Sequence, residues 1–479
     1  MRLPLPISIA FTLLALAIGF LTPACKPSKW GQARNSLGID IPAEFEADRT
    51  ANPAITAAWI NDFNDKTLDK LVAEALQHNR DLQAAAARMR AADANARSTA
   101  ASLFPQVDAD AAARRFQRVL TQSSRLVGSG ADEITRDRVN DFGINLNIDW
   151  EADVWGRIRN NTAASYNDAV AAAADYYAAR LSLAANTARS WFNCLEAEAQ
   201  VRLARDTLEN FESAYNIIDS SFQRGVADAL DVRLAKANVA GAVSTLNVRL
   251  RELDAAKRSL ETLLGRYPSG EIDAALELPA IKGKVPPGLP SELLRRRPDL
   301  IAAEGRAEAA IERVKGAKKE LLPVIRLTAG GGLTSDELAD LLTLERLIWN
   351  IAASAVQPIF QGGRIVANID LQKARADENI ANYAEAVLVA FQEVESALAA
   401  EAYLREQLVA LGVAADESVK AETLALDEYE RGLVDIVTVL EAQRRSFNSQ
   451  ESLLQSRNLI LQNRIDLYLA LGGDFDLSG

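Results

Sequence analysis

Apolar and polar residues alternate along a stretch in the first third of the chain. From Phe142 to Trp150 every second residue is large and apolar, and the residues between them are Gly, Asn, Asn and Asp. A period of two predicts a β-strand of about ten residues with one apolar face. A weaker alternation from Val107 to Ala113 predicts the other strand of a hairpin, and residues 121–137, rich in Ser and Gly, predict the loop between them.

Helical patterns surround the predicted hairpin. Residues 68–103 contain no Gly or Pro and predict one helix that ends before Pro105. The segment between Gly156 and Gly225 also lacks Gly and Pro, which predicts a helix about 100 Å long at 1.5 Å per residue. Val and Leu then recur every seven residues over residues 239–260, a spacing typical of coiled-coil packing.

The same pattern returns in the second half of the chain, which indicates a tandem duplication. Residues 324–333 and 347–357 predict a second hairpin, with a shorter loop around residues 334–345. The interval from Pro to Gly that contains the hairpin is 51 residues in the first half and 40 in the second, so the first loop carries 11 extra residues. The other intervals are identical: Asp81–Pro105 and Asp299–Pro323 are 24 residues, Gly156–Gly225 and Gly363–Gly432 are 69, and Gly225–Gly265 and Gly432–Gly472 are 40.

Strands with this length and alternation are typical of outer-membrane β-barrels. Four strands from one chain cannot close a barrel, because membrane barrels have about eight or more. An open edge would leave backbone N–H and C=O groups without partners in lipid. We therefore expect several chains to pool their strands, and three chains would form a 12-stranded barrel. The long helices would pool in the same way, giving a mainly α-helical duct.

Composition narrows the possible functions. The 479 residues include 53 Lys and Arg against 65 Asp and Glu, and the resulting net charge of −12 does not favour binding to nucleic acid. His78 is the single histidine and there are two cysteines, so His-based catalysis and Cys/His metal sites lack the residues they need. We expect no enzyme activity, no cofactor and no metal site. The excess of carboxylates is consistent with a water-filled duct that favours cations.

The N-terminus predicts a secretory signal peptide over residues 1–24. A weakly positive start is followed by the apolar run Ile7–Leu21, which is too short for a confident transmembrane helix. Cys25 follows a small residue at the end of this run, as in a bacterial lipoprotein box, where the cysteine becomes the acylated, palmitate-bearing N-terminus. Ordinary cleavage after Ala24 is the alternative. Cys194 lies on a helical pattern, and we expect it to be buried.

Several paired motifs resemble the TolC superfamily, and within it the lipoprotein branch, the NodT or OprM type of outer-membrane efflux factor. The similarity extends over about residues 55–472. The motifs are Asn79–Leu82, Leu103–Pro105, Asp149–Arg157, the block Arg296-Arg297-Pro298-Asp299-Leu300, and the block Pro358-Ile359-Phe360-x-Gly362-Gly363-Arg364.

The resemblance implies a homotrimer with a 12-stranded β-barrel on a periplasmic α-barrel. Such a trimer is the exit duct of a tripartite pump that exports drugs, metals or other small molecules. The implied partners are a periplasmic adaptor protein, an inner-membrane RND transporter and the lipid of the outer membrane. In this branch the N-terminal cysteine is acylated, which favours a lipid anchor at Cys25.

The motifs and intervals predict how the chain is divided. A lipid-anchored linker follows the signal peptide, and a short tail follows the second repeat. The predicted segments are the signal peptide 1–24, the anchored linker 25–60, the first repeat 61–270 with its hairpin 105–150 and α-barrel helices 156–265, the linker 271–290, the second repeat 291–473 with its hairpin 323–357 and α-barrel helices 363–472, and the tail 474–479.

Two glycine turns mark the predicted periplasmic tips of the helical hairpins. The resemblance implies that polar links near such tips hold the duct closed, with Asp231 and Tyr429 in the positions of link partners. Val434 stands where some members have a gate arginine, so either Arg431 takes over that link or the link is absent. Solvated charges at a helix end are the alternative for each residue. The candidate tip residues are Arg224, Gly225, Asp228, Asp231, Tyr429, Arg431, Gly432, Asp435 and Glu441.

Aromatic residues on the predicted strands are candidates for the belts found at the two ends of a membrane barrel. Phe142, Trp150 and Trp349 are expected on the barrel or at its subunit interface. Trp155 belongs either to the same belt or to a packed core in the helical region.

Two other functions remain compatible with parts of the pattern. A type I secretion duct has the same architecture and passes unfolded proteins instead of small molecules. A periplasmic coiled-coil adaptor would explain the seven-residue repeats, but it would not explain a hairpin with apolar and polar faces between two helices.

Overall fold

The computed structural model describes most of the chain. The signal peptide, Cys25 and the C-terminal tail lie outside the described residues. The residues that the structure describes are 32–35, 42, 45–47, 59–122, 133–274, 277–281, 283, 285, 288 and 290–473. The chain forms two compact units: the first comprises Met1–Leu37, Ala92–Val170 and Gly305–Ile380, and the second comprises Gly38–Ala91, Ala171–Glu304 and Ala381–Gly479.

Each repeat consists of two shorter helices, a β-hairpin and two long helices. The hairpin followed by two long helices is as the sequence pattern predicts, whereas that pattern predicts one shorter helix before the hairpin. The long helices have 67 and 35 residues in both repeats. None of the helices among the described residues is both long enough and apolar enough to cross a membrane. The first repeat contains α1 Lys66–His78, α2 Arg80–Ala101, β1 Gln106–Gln122, β2 Glu133–Glu151, α3 Arg157–Gln223 and α4 Ala229–Leu263. The second contains α5 Pro290–Arg296, α6 Pro298–Lys319, β3 Val324–Ser335, β4 Leu347–Val356, α7 Arg364–Glu430 and α8 Ile436–Ala470.

The single helix predicted over residues 68–103 is wrong, because the backbone is extended at Asn79 (φ −61°, ψ 129°). The Asn79 amide donates a hydrogen bond to the carbonyl of Leu263 at 2.9 Å and accepts one from the N–H of Leu82 at 3.0 Å. One side chain therefore caps the start of α2 and the end of α4, and these bonds stabilise the break.

The strands are also longer than predicted in the first hairpin. β1 has 17 residues and β2 has 19, so both enter the segment 121–137 that the sequence predicts as a loop. Backbone pairing continues beyond the apolar stretch because polar side chains support it. Arg118 and Asp137 lie on neighbouring strands and form an ion pair at 3.1 Å.

The four strands form one antiparallel sheet in the first unit, in the order β1-β2-β3-β4. The two repeats meet at β2 and β3, which pair from Phe142 opposite Ser335 to Glu151 opposite Arg326. β1 and β4 are the edges of this sheet. Along β4 all ten residues are exposed.

The pairing register gives the sheet one apolar and one polar face. Ile144, Leu333 and Leu347 lie side by side on the apolar face, as do Leu146, Gly331 and Trp349. The residues between them form the other face, which is mainly polar or glycine on β2 and β3, whereas β4 places Ile348 and Val356 there beside Asn350 and Ser354. The apolar face predicted from the sequence is therefore continuous from β2 to β4.

The second unit has an aromatic core. Phe63 packs against Phe192 with ring centroids 5.1 Å apart, and Trp59 packs against Tyr468 at 5.6 Å. Cys194 is fully buried in this core, as predicted, and burial raises the pKa of its thiol to about 12. The thiol is therefore unreactive at neutral pH.

The long return helices end against the shorter helices at two equivalent glycines. Gly265 has φ +77°, and a Cβ atom there would lie 2.6 Å from the carbonyl oxygen of His78. Gly472 has φ +87°, and its Cβ would lie 2.8 Å from the carbonyl oxygen of Arg296. Only glycine fits both the left-handed backbone and the close approach. The same contact thus closes each repeat.

Gly265→Ala should lower the free energy of unfolding by about 2 kcal/mol, because alanine is strained at positive φ and its methyl group meets the His78 carbonyl. Gly241→Ala is the matched control: this glycine lies in α4, and a Cβ there meets nothing within 4 Å. The control should raise stability by about 0.5–1 kcal/mol through helix propensity. Denaturant unfolding of the purified protein in detergent, followed by circular dichroism, measures both changes. Equal stability of the two variants would contradict this role of Gly265.

Candidate functional site

The two helical tips have the same turn geometry. At the first tip Gly225 has φ +73° and donates a hydrogen bond to the carbonyl of Phe222 at 2.8 Å, while Val226 donates to Ser221 at 2.9 Å. This pair of bonds is the Schellman motif, which ends a helix with a glycine in the left-handed region. The tip at Gly432 makes the equivalent two bonds, both at 2.9 Å.

An apolar cluster lies beneath the tips and joins all four long helices. We call it the tip core. α8 contributes two fully buried or nearly buried residues, and each of the other helices contributes one. Both hairpins of one chain therefore pack together close to their turns. The buried members are Ile218, Ala235, Ala425, Ile436 and Val439.

Tyr429 and Asp231 approach each other across the two hairpins. Tyr429 lies in the last turn of α7 and is partly buried against the tip core, whereas Asp231 lies in the first turn of α4. Burial raises the pKa of the Tyr429 hydroxyl, and the Asp231 carboxylate raises it further, because both disfavour a phenolate. Within the part of the chain that the structure describes, no hydrogen bond joins the two side chains. Tyr429 is thus a neutral hydroxyl whose pKa is raised by a carboxylate of the other hairpin.

Val434 cannot form a polar link. The resemblance places it where some members have a gate arginine, and here it packs against the tip core. The structure instead pairs Arg431 with Asp427 in its own helix at 2.8 Å.

The two aspartates that precede the return helices differ in their bonds. Asp435 caps α8: its carboxylate accepts hydrogen bonds from the Thr438 N–H at 2.9 Å and from the Thr438 hydroxyl at 2.8 Å. These bonds lower the pKa of Asp435. Asp228 has the equivalent position before α4, but its side chain makes no capping bond. The residue three positions later is Asp231 instead of threonine, so it offers no hydroxyl donor.

The remaining charged tip residues bond within their own helices. Arg224 donates to the Ser221 hydroxyl at 3.2 Å. Glu441 pairs with Arg444 at 2.7 Å, and its pKa is lowered by hydrogen bonds from Arg444 and then Arg445. Among these tip residues in the described part of the chain, Asp231 and Tyr429 interact across the hairpins through the effect of the carboxylate on the Tyr429 pKa, and their role as gate partners stays a prediction.

The aromatic residues predicted for the barrel lie on the apolar face of the sheet. Phe142 and Trp150 share this face of β2, and the Trp150 indole N–H donates to the carbonyl of Leu103 at 3.0 Å. Trp349 on β4 is 73% exposed. Trp155 is also exposed, and its indole N–H donates to the carbonyl of Pro323 at 2.8 Å. Within one chain Trp155 is therefore outside the packed core, and its place in an aromatic belt stays a prediction.

A hydrogen-bonded group on the polar face was not predicted. Asp110 of β1 accepts hydrogen bonds from the side-chain amides of Asn145 at 3.0 Å and Asn147 at 2.7 Å. Gly330, on the neighbouring strand, leaves space here, since a Cβ atom would lie 3.3 Å from the Asn147 amide oxygen. The alternation places these residues on one face, but the register that brings them together depends on strand pairing.

The chain segment that precedes α1 is also held by a carboxylate that sequence reasoning missed. Glu395 of α7 accepts hydrogen bonds from the backbone N–H groups of Glu46 at 2.7 Å and Ala47 at 2.9 Å. The neighbouring Phe45 is buried in the aromatic core. These contacts attach residues 45–47 to α7 and to the aromatic core. A lone Glu on a long helix gives no signal of this role.

Comparison with known proteins identifies the family. The profile of the family described as outer membrane efflux protein matches residues 71–266 and 289–473. The chain belongs to the outer membrane efflux protein family. It is an outer-membrane efflux channel and not an enzyme, and the resemblance to the TolC superfamily is confirmed. A coiled-coil adaptor, the other class considered above, is excluded.

This efflux channel is similar to several known members. It is 31% identical to the cation efflux system protein CusC of Escherichia coli O6:H1 over 98% of each chain. It is 33% identical to a probable efflux pump outer membrane protein, TtgC of Pseudomonas putida, over 88% of this chain and 86% of the relative. Among solved structures, the outer-membrane channel OprN matches with a TM-score of 0.83 and 29% identity, covering 91% of this chain and 97% of OprN.

Asp435→Ala should speed amide hydrogen exchange severalfold in the first turns of α8, because the helix loses its cap. Asp228→Ala is the matched control and should leave exchange in the first turns of α4 unchanged, since its side chain makes no capping bond. Because the pKa of Asp435 is lowered on folding, its contribution is present at pH 7 and is lost as the pH falls below about 3.9, through the lowered pKa. Exchange measured peptide by peptide with mass spectrometry tests this. Equal effects of the two substitutions would contradict the assignment.

Proposed function

We propose that this channel is a trimeric exit duct of a tripartite efflux pump, closed at the helical tips until a periplasmic adaptor binds. The observation that carries the proposal is the open four-stranded sheet with one apolar face. Among the described residues, β1 and β4 each pair with a single strand, so the sheet has two free edges. Lipid provides no hydrogen-bond partners for those edges, whereas strands from two further copies do.

Exposed apolar side chains support an adaptor site at the tips. Val226 and Leu433 follow the two turn glycines and are 80% and 68% exposed. Leu230 and Val437, one turn into the return helices, are exposed as well. Apolar side chains on both turns are costly in water and favour a protein partner. We assign this surface to the adaptor, which connects the duct to an inner-membrane RND transporter that supplies the energy.

The cargo proposed for this duct is a small molecule or cation that passes without being coordinated. CusC is named for cation efflux and TtgC for an efflux pump, and neither name refers to protein secretion. The whole chain has only two Met, one His and two Cys. Soft metal ions bind to these side chains, so the chain lacks a relay of soft ligands along the duct. These relatives favour efflux over the type I secretion alternative.

The proposed gate is the pair Tyr429 and Asp231. The tip core holds both hairpins in one packed arrangement, and a hydrogen bond from the Tyr429 hydroxyl to the Asp231 carboxylate would favour the closed state. Adaptor binding would favour the open state by engaging the exposed turns. The two states need differ by only a few kcal/mol for such a link to shift their populations.

Asp231→Ala combined with Tyr429→Phe should raise single-channel conductance in planar bilayers severalfold, because the closed state loses its link across the hairpins. Arg431→Ala is the matched control: it removes a nearby charge whose partner, Asp427, lies in the same helix. The control should conduct like the unmodified channel. An unchanged double variant, or an equal increase in the control, would overturn the gate assignment.

We also propose that Cys25 carries the lipid anchor. Cys25→Ser should abolish incorporation of radiolabelled palmitate, whereas Cys194→Ser should retain it, because that thiol is buried. Equal labelling of wild type and Cys25→Ser would show that Cys25 is not the acylated residue.

A further inference from the structure

We propose a specific strand register for the contact between subunits: β4 of one chain pairs with β1 of a second copy so that Ser354 lies opposite Ala112. This rests on the proposed trimer and defines its interface in the sheet. The register follows from the internal repeat, because the sheet of one chain already contains a contact of the same kind between β2 and β3.

The two hairpins have the same register. Pro105 before β1 matches Pro323 before β3, a shift of 218 residues, and Gly156 after β2 matches Gly363 after β4, a shift of 207. Gln106 and Asp149 pair in the first hairpin. Adding 218 to the first number and 207 to the second gives Val324 and Val356. The second pair is also observed, and the same holds for all ten pairs between β3 and β4.

The contact between repeats can be shifted in the same way. β2 pairs with β3, which joins the second strand of one repeat to the first strand of the next. In a closed ring, β4 is the second strand of its repeat and pairs with β1, the first strand of the next repeat, which belongs to the neighbouring copy. Asn147 lies opposite Gly330 within the chain. Adding 207 to the number of Asn147 gives Ser354, and subtracting 218 from that of Gly330 gives Ala112, so Ser354 should lie opposite Ala112.

The shifted register keeps the face of small apolar side chains continuous from one copy to the next. Ala353 and Ala355 come to lie beside Ala113 and Ala111 on the apolar face, and Ser354 lies beside Ala112 on the polar face. A slip of one residue would reverse every side chain and place alanines of one face beside polar residues of the other. Small side chains on both strands also permit close approach.

The end of β4 fits the same register. Glu151 pairs with Arg326 within the chain. The equivalent pair between two copies is Pro358 opposite Asp108. Proline has no N–H to donate to the neighbouring strand, so the pairing must stop there. The strand does end just before this position, at Val356.

Disulfide cross-linking of full-length channel in outer membranes tests the register. Residues directly opposite in antiparallel strands have Cα atoms about 4.5–5.5 Å apart, within the range that a disulfide spans. Ala112→Cys with Ser354→Cys should therefore give covalently linked trimers on oxidation. Within one chain these positions are separated by three strand spacings, which alone amount to about 14 Å, so a link must join two chains. Cys194 can stay in place because its thiol is buried.

The matched control is Asp108→Cys with Ser354→Cys. Asp108 lies on the same face of β1, four residues from Ala112, which places the two cysteines about 13 Å from opposition. It should give few cross-links. Stronger linking of the control than of the predicted pair, or no linking by the predicted pair in a protein that is trimeric by native mass spectrometry, would overturn the register and leave the trimer intact. A monomer by native mass spectrometry would overturn the proposed trimeric duct together with the register.

Discussion

Unpaired backbone groups at the edges of a small sheet are the constraint on which this structure depends. A four-stranded antiparallel sheet leaves one row of N–H and C=O groups free on β1 and another on β4. In water such edges can bind solvent, but an apolar face such as that around Leu146 and Trp349 is suited to lipid, where solvent is absent. The chain therefore has to supply its edges with strands from other copies, and its long helices must combine with theirs.

The internal repeat gives the chain a way to build a nearly symmetric ring from few copies. Identical lengths of the long helices, identical hairpin registers and the glycine contacts at Gly265 and Gly472 show that each repeat is the same structural unit. The two repeats differ in sequence at the start of their return helices. Asp231 stands where the second repeat has Thr438, so one return helix keeps a capped start and the other presents a carboxylate to Tyr429. A gate can thus arise from a single asymmetric position in a duplicated scaffold.

Much of this architecture could be predicted from the sequence because it depends on local periodicity. Alternation from Phe142 to Trp150 gave the strand and its faces, and the glycine intervals gave the hairpin tips. Periodicity could not reveal the break at Asn79, because that break is stabilised by a bond to the carbonyl of Leu263, far away in the sequence. The strand ends were missed for a similar reason, since pairs such as Arg118 and Asp137 extend the ladder where no apolar pattern remains.

The candidate gate was only partly predictable. Motif position indicated Tyr429 and Asp231, and the structure adds that Tyr429 is partly buried and that the two lie close enough for the carboxylate to raise the tyrosine pKa. It also shows that Arg431 and Glu441, equally plausible from the sequence, bond to neighbours on their own helices. Such pairing within one helix turn depends on rotamers and is not specified by the motif.

Hydrogen exchange of the β4 amides in native outer membranes tests the central claim most directly. If neighbouring copies pair with the sheet edges, the amides of β4 that point away from β3 will be protected as strongly as those that bond to β3. If the sheet of each chain stays open, every second amide along Leu347–Val356 will exchange as fast as an unstructured peptide, and the account of a shared barrel will be contradicted.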